Sequence, residues 1–219
     1  MRTLIALGAV LLASTSAQAA VNLVVNGSFE NGVSPAGSTF LASEDVTSIT
    51  GWRVLSEGVN YVDSSVWAAS TGDRSVELGT NLGAGGVWQR VSGFTVGSRY
   101  RLTFDVSANP FDPAARPKPS RVLTSVTGGL AEIYSYTLTD ANTSSSMLYD
   151  TISYDFIAGN NFQNIQFRSL LSAGENYGAV IDNVSISVVP EASTWAMMIV
   201  GFSLVGFASR RRNRGFVVA

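Results

Sequence analysis

The sequence predicts an all-β fold, a jelly-roll β-sandwich, and three observations carry that prediction. Apolar and polar residues alternate in many short segments between Val21 and Val189. Such alternation marks half-buried strands, because successive side chains of a strand point to opposite faces. Gly, Asn, Ser and Asp separate the segments and supply the turns. No middle segment carries a sustained apolar stripe at helical spacing, and about 165 residues suffice for one sandwich core.

Taken in order, the clearest strand has Tyr100, Leu102, Phe104 and Val106 alternating with Arg101, Thr103, Asp105 and Ser107. Ile152, Tyr154 and Phe156 then alternate with Ser153 and Asp155, and Ile165 and Phe167 with Gln166 and Arg168. Val180, Val184, Ile186 and Val188 are expected to share one face of a last strand, and Asp182 falls on that same face. Asn26-Gly27 is a turn signal. Four of the six prolines lie between Asn109 and Pro119. Proline donates no ladder hydrogen bond, so this segment is expected to be an exposed loop between strands.

The two ends read differently. Met1-Arg2, the apolar stretch Leu4 to Ala13 and Ala17-Gln18-Ala19 have the order of a secretory signal helix with its cleavage site. Residues 1–20 are expected to be a signal peptide, 21–188 the sandwich and 189–219 a sorting tail. The apolar run Trp195 to Ala208 has 14 residues. As a helix it would span about 21 Å, against about 30 Å of hydrocarbon. Arg210, Arg211, Arg212 and Arg214 follow it and place the C-terminus on the cytoplasmic side. A short transmembrane helix behind a Pro-Glu step suits a removable anchor.

Composition narrows the chemistry. The chain of 219 residues has no cysteine and no histidine. Disulfides, thiol catalysis and Ser-His arrangements are thereby excluded, and zinc or copper sites are disfavoured. Residues 21–188 carry nine Lys/Arg and fifteen Asp/Glu, a net charge of −6. That balance argues against a nucleic-acid partner.

Two resemblances add to this reading. Pro190-Glu191, Trp195-Ala196, the apolar run and the arginine cluster resemble the PEP-CTERM sorting signal in its PEPxxWA form, with Ala192 where that family has proline. The resemblance implies processing by a membrane exosortase. It also implies transient anchoring, then delivery to the surface or extracellular matrix of a Gram-negative bacterium. The middle carries "NLVVNGSFENG" at Asn22, "GWRV" at Gly51 and "VNYVDSSVWAASTGDRSVELG" at Val59. "GGVWQRVSGFTVGSRYRLTFDVSANP" at Gly85 and "YGAVIDNVSI" at Tyr177 follow. This order resembles the choice-of-anchor C domain, related to a plant cell-wall family and similar to galactose-binding-like jelly rolls. It implies a noncatalytic module that binds or organises exopolysaccharide or cell-wall glycan. A structural matrix protein without sugar affinity and a glycan-active enzyme stay open as alternatives.

Candidate site residues follow from both lines. A carboxylate on an apolar face, such as Asp182, is costly unless it is paired or bound to metal. Glu30 follows the first expected strand, and first and last strands of a jelly roll can lie close together. Oxygen-ligated calcium would suit this pair. Similar modules hold a structural calcium with acids at such places, and that resemblance implies Asp73 as a third ligand. The alternative is that Asp182 caps a turn or pairs with an arginine such as Arg74. Sugar rings stack on exposed aromatic faces, and Tyr61, Trp67 and Trp88 are the candidates. Trp67, beside the loop Asp63-Ser64-Ser65, is the first choice, Trp88 has an ambiguous face, and Trp52 is expected in the core. No acid lies in a recognisable catalytic motif, so no catalytic residue is assigned.

Overall fold

A computed structural model describes residues 21–111, 119–127, 129, 131–171, 175–190 and 198–207. The strands are β1 (Ser38–Leu41), β2 (Arg53–Ser56), β3 (Val59–Asp63), β4 (Arg74–Glu77), β5 (Gly79–Thr80) and β6 (Gly83–Ser92), then β7 (Arg99–Ala108), β8 (Ser120–Val126), β9 (Glu132–Tyr136), β10 (Asp150–Ile157), β11 (Phe162–Ser169) and β12 (Ala179–Val188). They form two antiparallel sheets, one ordered β1-β3-β4-β12-β7-β10 and the other β2-β6-β11-β8-β9, with β5 on β6. The expected all-β sandwich is therefore observed.

The inward faces are those the alternation marked. Leu102, Phe104 and Val106 of β7, Tyr154 and Phe156 of β10, and Ile165 and Phe167 of β11 are buried in one core. Trp52 joins them, with its ring 5.1 Å from Phe29 and 6.2 Å from Phe167. Burying a large apolar side chain contributes about 1.5–3 kcal/mol, so this layer between the sheets dominates stability. Among the described residues every strand and every core residue lies between Val24 and Val188, within the span 21–188.

Two expectations need correction. Residues 21–30 form turns rather than a first strand, although Leu23 N donates to Ile186 O at 2.9 Å and so runs beside β12. The second correction concerns β12. Its register with β7 steps from Asp182↔Asp105 to Ser185↔Thr103, so two residues of β12 face one of β7. This is a β-bulge, and Asn183 at its start has φ 51°, a left-handed conformation that asparagine tolerates. The bulge reverses the alternation. Val180 and Asp182 point away from the main core, whereas Val184 and Ile186 point into it. The four valine and isoleucine residues therefore do not share a face, and Val188 is exposed.

Beyond the sandwich, a helix α1 covers residues 198–207, within the expected sorting tail. Among the described residues no helix is long and apolar enough to cross a membrane. The signal segment, Glu191, Trp195, Ala196 and Arg210, Arg211 and Arg212 lie outside the described residues, as does most of the proline-rich loop.

Candidate functional site

The three expected calcium ligands converge on one loop, residues 70–74, from different sides. Glu30 Oε1 accepts hydrogen bonds from Asp73 N at 2.9 Å and Arg74 N at 2.8 Å. Gly72 at the loop tip has φ 65°, and a Cβ there would sit 2.5 Å from Glu30 Oε1, so a side chain would be strained and would displace the Glu30 carboxylate. Asp182 Oδ2 accepts from Thr71 N at 2.8 Å and Oδ1 from Asn183 N at 2.6 Å. Asp73 is exposed and accepts from Ser64 Oγ at 3.2 Å.

This donor set does not fit calcium. The ion takes six to eight oxygen ligands, and here N–H donors face the carboxylates. The positive charge in the neighbourhood belongs to Arg74, whose Nη1 donates to Glu30 O at 2.9 Å and Tyr61 Oη at 3.0 Å. Among the described residues no group of three or more acids is gathered to hold a metal. The turn-capping alternative describes Asp182.

Asp182 is fully buried on the outer face of the β1-β3-β4-β12-β7-β10 sheet, under the segments around Ser70 and Tyr149. Burial pushes its carboxyl up to about 7 against the N–H groups that favour the anion, and nearby Asp105 adds to the rise. A second acid on that face, Glu77, was not anticipated. Burial raises it to about 7 also, although Asn60, Asn109 and Gly178 donate to it. Both acids are buried, and neither lines the depressions described on the surface.

Burial removes two of the aromatic candidates. Trp67 is buried with Val62, Met147 and Val180 in a small cluster, and its Nε1 donates to Ser75 Oγ at 2.9 Å. Tyr61 is fully buried between the sheets and donates its hydroxyl to Phe29 O. Neither offers a face to a ligand. The segment after Asp63 folds back over the sheet, and that tertiary closure is invisible to local alternation.

Trp88 is different. It lies on β6, half-buried, on the outward face of the β2-β6-β11-β8-β9 sheet. Its inward neighbours Val87 and Gln89 are buried, which settles the ambiguous face. Arg53 of β2 and Gln166 of β11 stand directly opposite it in register. Ser125 of β8 stands opposite Gln166. Trp88, Leu55, Gln166, Asn164, Ser125 and Thr127 line an open depression of about 470 Å³. No acid lines it. An aromatic face flanked by amides and hydroxyls can stack a sugar ring and hydrogen-bond its hydroxyls. The sequence reading missed the polar members of this set. Their signal was the outward half of the alternation, Asn164 and Gln166 on either side of Ile165.

Comparison with known proteins places the chain in a family. The family model described as a protein of unknown function, DUF642, matches residues 22–187, and the chain belongs to that family. The model of the PEP-CTERM protein-sorting motif matches residues 188–212, and it marks an exosortase-sorted, extracellular protein. Halomucin of Haloquadratum walsbyi is 33% identical over 184 residues, which are 82% of this chain and 2% of that protein. The chain thus spans a small fraction of that relative's length. Among solved structures, TmCBM61 in complex with beta-1,4-galactotriose aligns with TM-score 0.46 and 14% identity, over 77% of this chain and 99% of that one. The CBM22-1 xylan-binding domain from Paenibacillus barcinonensis Xyn10C aligns with TM-score 0.42 and 14% identity, over 81% and 100%.

Proposed function

We propose that this protein is a noncatalytic glycan-binding module of the cell exterior. It holds extracellular polysaccharide in the depression on the β2-β6-β11-β8-β9 sheet. The observation that carries the reading is Trp88, set half-buried on the outward sheet face among the polar side chains of Arg53, Gln166, Asn164 and Ser125. Those side chains stand on strands, and rigid placement lowers the entropic cost of binding.

The noncatalytic half of the reading has its own support. Glycoside hydrolysis generally uses two carboxyl groups facing one cleft. The depression is lined by none, and the acids with raised carboxyls, Glu77 and Asp182, lie on the opposite sheet.

The test is titration of residues 21–188 against a polysaccharide panel that includes the host's own exopolysaccharide. Saturable binding that weakens at least tenfold in Trp88→Ala supports the reading. No binding to any member, with concentration-dependent self-association instead, would favour a structural matrix protein.

A further inference from the structure

The groove sheet carries an unexpected concentration of one charge. Arg53 of β2, Arg90 of β6, Arg121 of β8 and Arg168 of β11 all occupy register positions on its outward face. Four of the nine Lys/Arg of residues 21–188 are therefore on this one surface, in a segment whose net charge is −6. No acid holds an outward register position on β2, β6, β8 or β11.

Three of the four arginines are held by named contacts. Arg168 runs across β6 and donates through Nη2 to Ser56 Oγ at 3.0 Å. Gly86 makes that path possible, since a Cβ there would lie 2.9 Å from Arg168 Cγ and 2.5 Å from Phe167 O. The guanidinium of Arg90 lies 3.7 Å over the ring of Phe162. Arg53 sits 6.0 Å from the ring centre of Trp88 and pairs with Glu44. Arg90, Arg121 and Arg168 have no carboxylate at ion-pair distance among the described residues. Arg90 and Arg168 face residues four apart along neighbouring strands, so their charges are spread over about 13 Å of the groove.

A neutral sugar gives such charges nothing to neutralise. Guanidinium groups match carboxylate and sulfate oxygens through paired N–H donors. We infer that the groove selects an acidic polysaccharide, one with carboxylate or sulfate groups along its chain. Trp88 stacks a sugar ring, and Arg168 and Arg90 take the anionic substituents of that ring and of its neighbours. This rests on the groove being a glycan site. A nucleic acid is the competing polyanion, and the acidic remainder of the domain disfavours it.

Residues 21–188 would be titrated with polygalacturonate and alginate, with the methyl esters of both, and with a single-stranded oligonucleotide, at 50 and 500 mM NaCl. The acidic forms are expected to bind at least tenfold tighter than their esters, with the advantage shrinking at high salt. Arg168→Gln and, separately, the more exposed Arg90→Gln are expected to reduce that ratio at least threefold with an unchanged melting temperature. Equal affinity for acid and ester would overturn the charge selection and leave the glycan site standing. No binding to acid or ester would overturn both. Oligonucleotide affinity as tight as that of the acidic glycans, lost in the same variants, would overturn the choice of polysaccharide.

Discussion

Asp182 of β12 stands directly opposite Asp105 of β7, on the outer face of the sheet. Two carboxylates in register would repel, and the surroundings determine how they coexist. Asp105 accepts from Thr151 Oγ1 at 2.6 Å and Asn183 Nδ2 at 3.0 Å, and Ser70 Oγ also donates to it. Asp182 is more deeply buried, and its carboxyl is raised to about 7. Asp105 faces outward because it alternates with the inward Phe104 and Val106, and the bulge at Asn183 puts Asp182 on the same outer face although Val184 and Ile186 point inward.

Stability should therefore fall as pH rises toward neutrality. Asp182 and Glu77 both have folded values of about 7, above their ordinary 3.8 and 4.5. The folded state then holds more protons than the unfolded one between those limits. Their contribution is full below about pH 4 and is lost as pH rises through 7. Melting temperature measured from pH 5 to pH 8 is expected to decline. Asp182→Asn and Glu77→Gln should each flatten the decline, and an unchanged slope in both would contradict the assignment.

Much of this fold was legible because strand alternation is local. Phe104, Phe156 and Phe167 are where the polar-apolar rhythm put them. The bulge was not legible, because Asn183 is chemically compatible with either an unbroken strand or a left-handed kink. Nor was the fate of Trp67, which depends on Ala68 N bonding Ser144 O across a long stretch of chain. Trp88 could be named from sequence, but its face could not. Its partners come from β2, β8 and β11, and only the register brings them together.

The bulge is open to a backbone test. Asn183→Ala removes both the side-chain bond to Asp105 and the residue type that tolerates φ 51°. A loss of about 1–3 kcal/mol is expected by denaturant titration. Asn183→Gly keeps the backbone freedom and should cost less. A larger loss in the glycine variant would argue against the left-handed conformation.

Arg74 should do by hydrogen bonding what a cation would do by coordination. Arg74→Met is expected to destabilise the domain by about 1–3 kcal/mol, since Glu30 O and Tyr61 Oη lose their donor. A chelator should leave the melting temperature of the unmodified domain unchanged. A fall of several degrees, reversed by calcium, would show that these carboxylates hold an ion after all.

Trp67 and Trp88 divide packing from recognition. Trp67→Ala removes a buried indole and its bond to Ser75, and a loss of about 3–5 kcal/mol is expected from chemical denaturation. Its glycan affinity, measured where the variant is still folded, should match that of the unmodified domain. A loss of affinity in the folded variant would return Trp67 to the binding surface.

The most direct measurement is the affinity of Trp88→Ala for the polysaccharide that the unmodified domain binds, by calorimetry, with melting temperature recorded alongside. The expected result is at least a tenfold loss of affinity with a melting temperature within a few degrees of the parent, because the indole is half-buried on an outer sheet face. Undiminished affinity would contradict the groove as the glycan site.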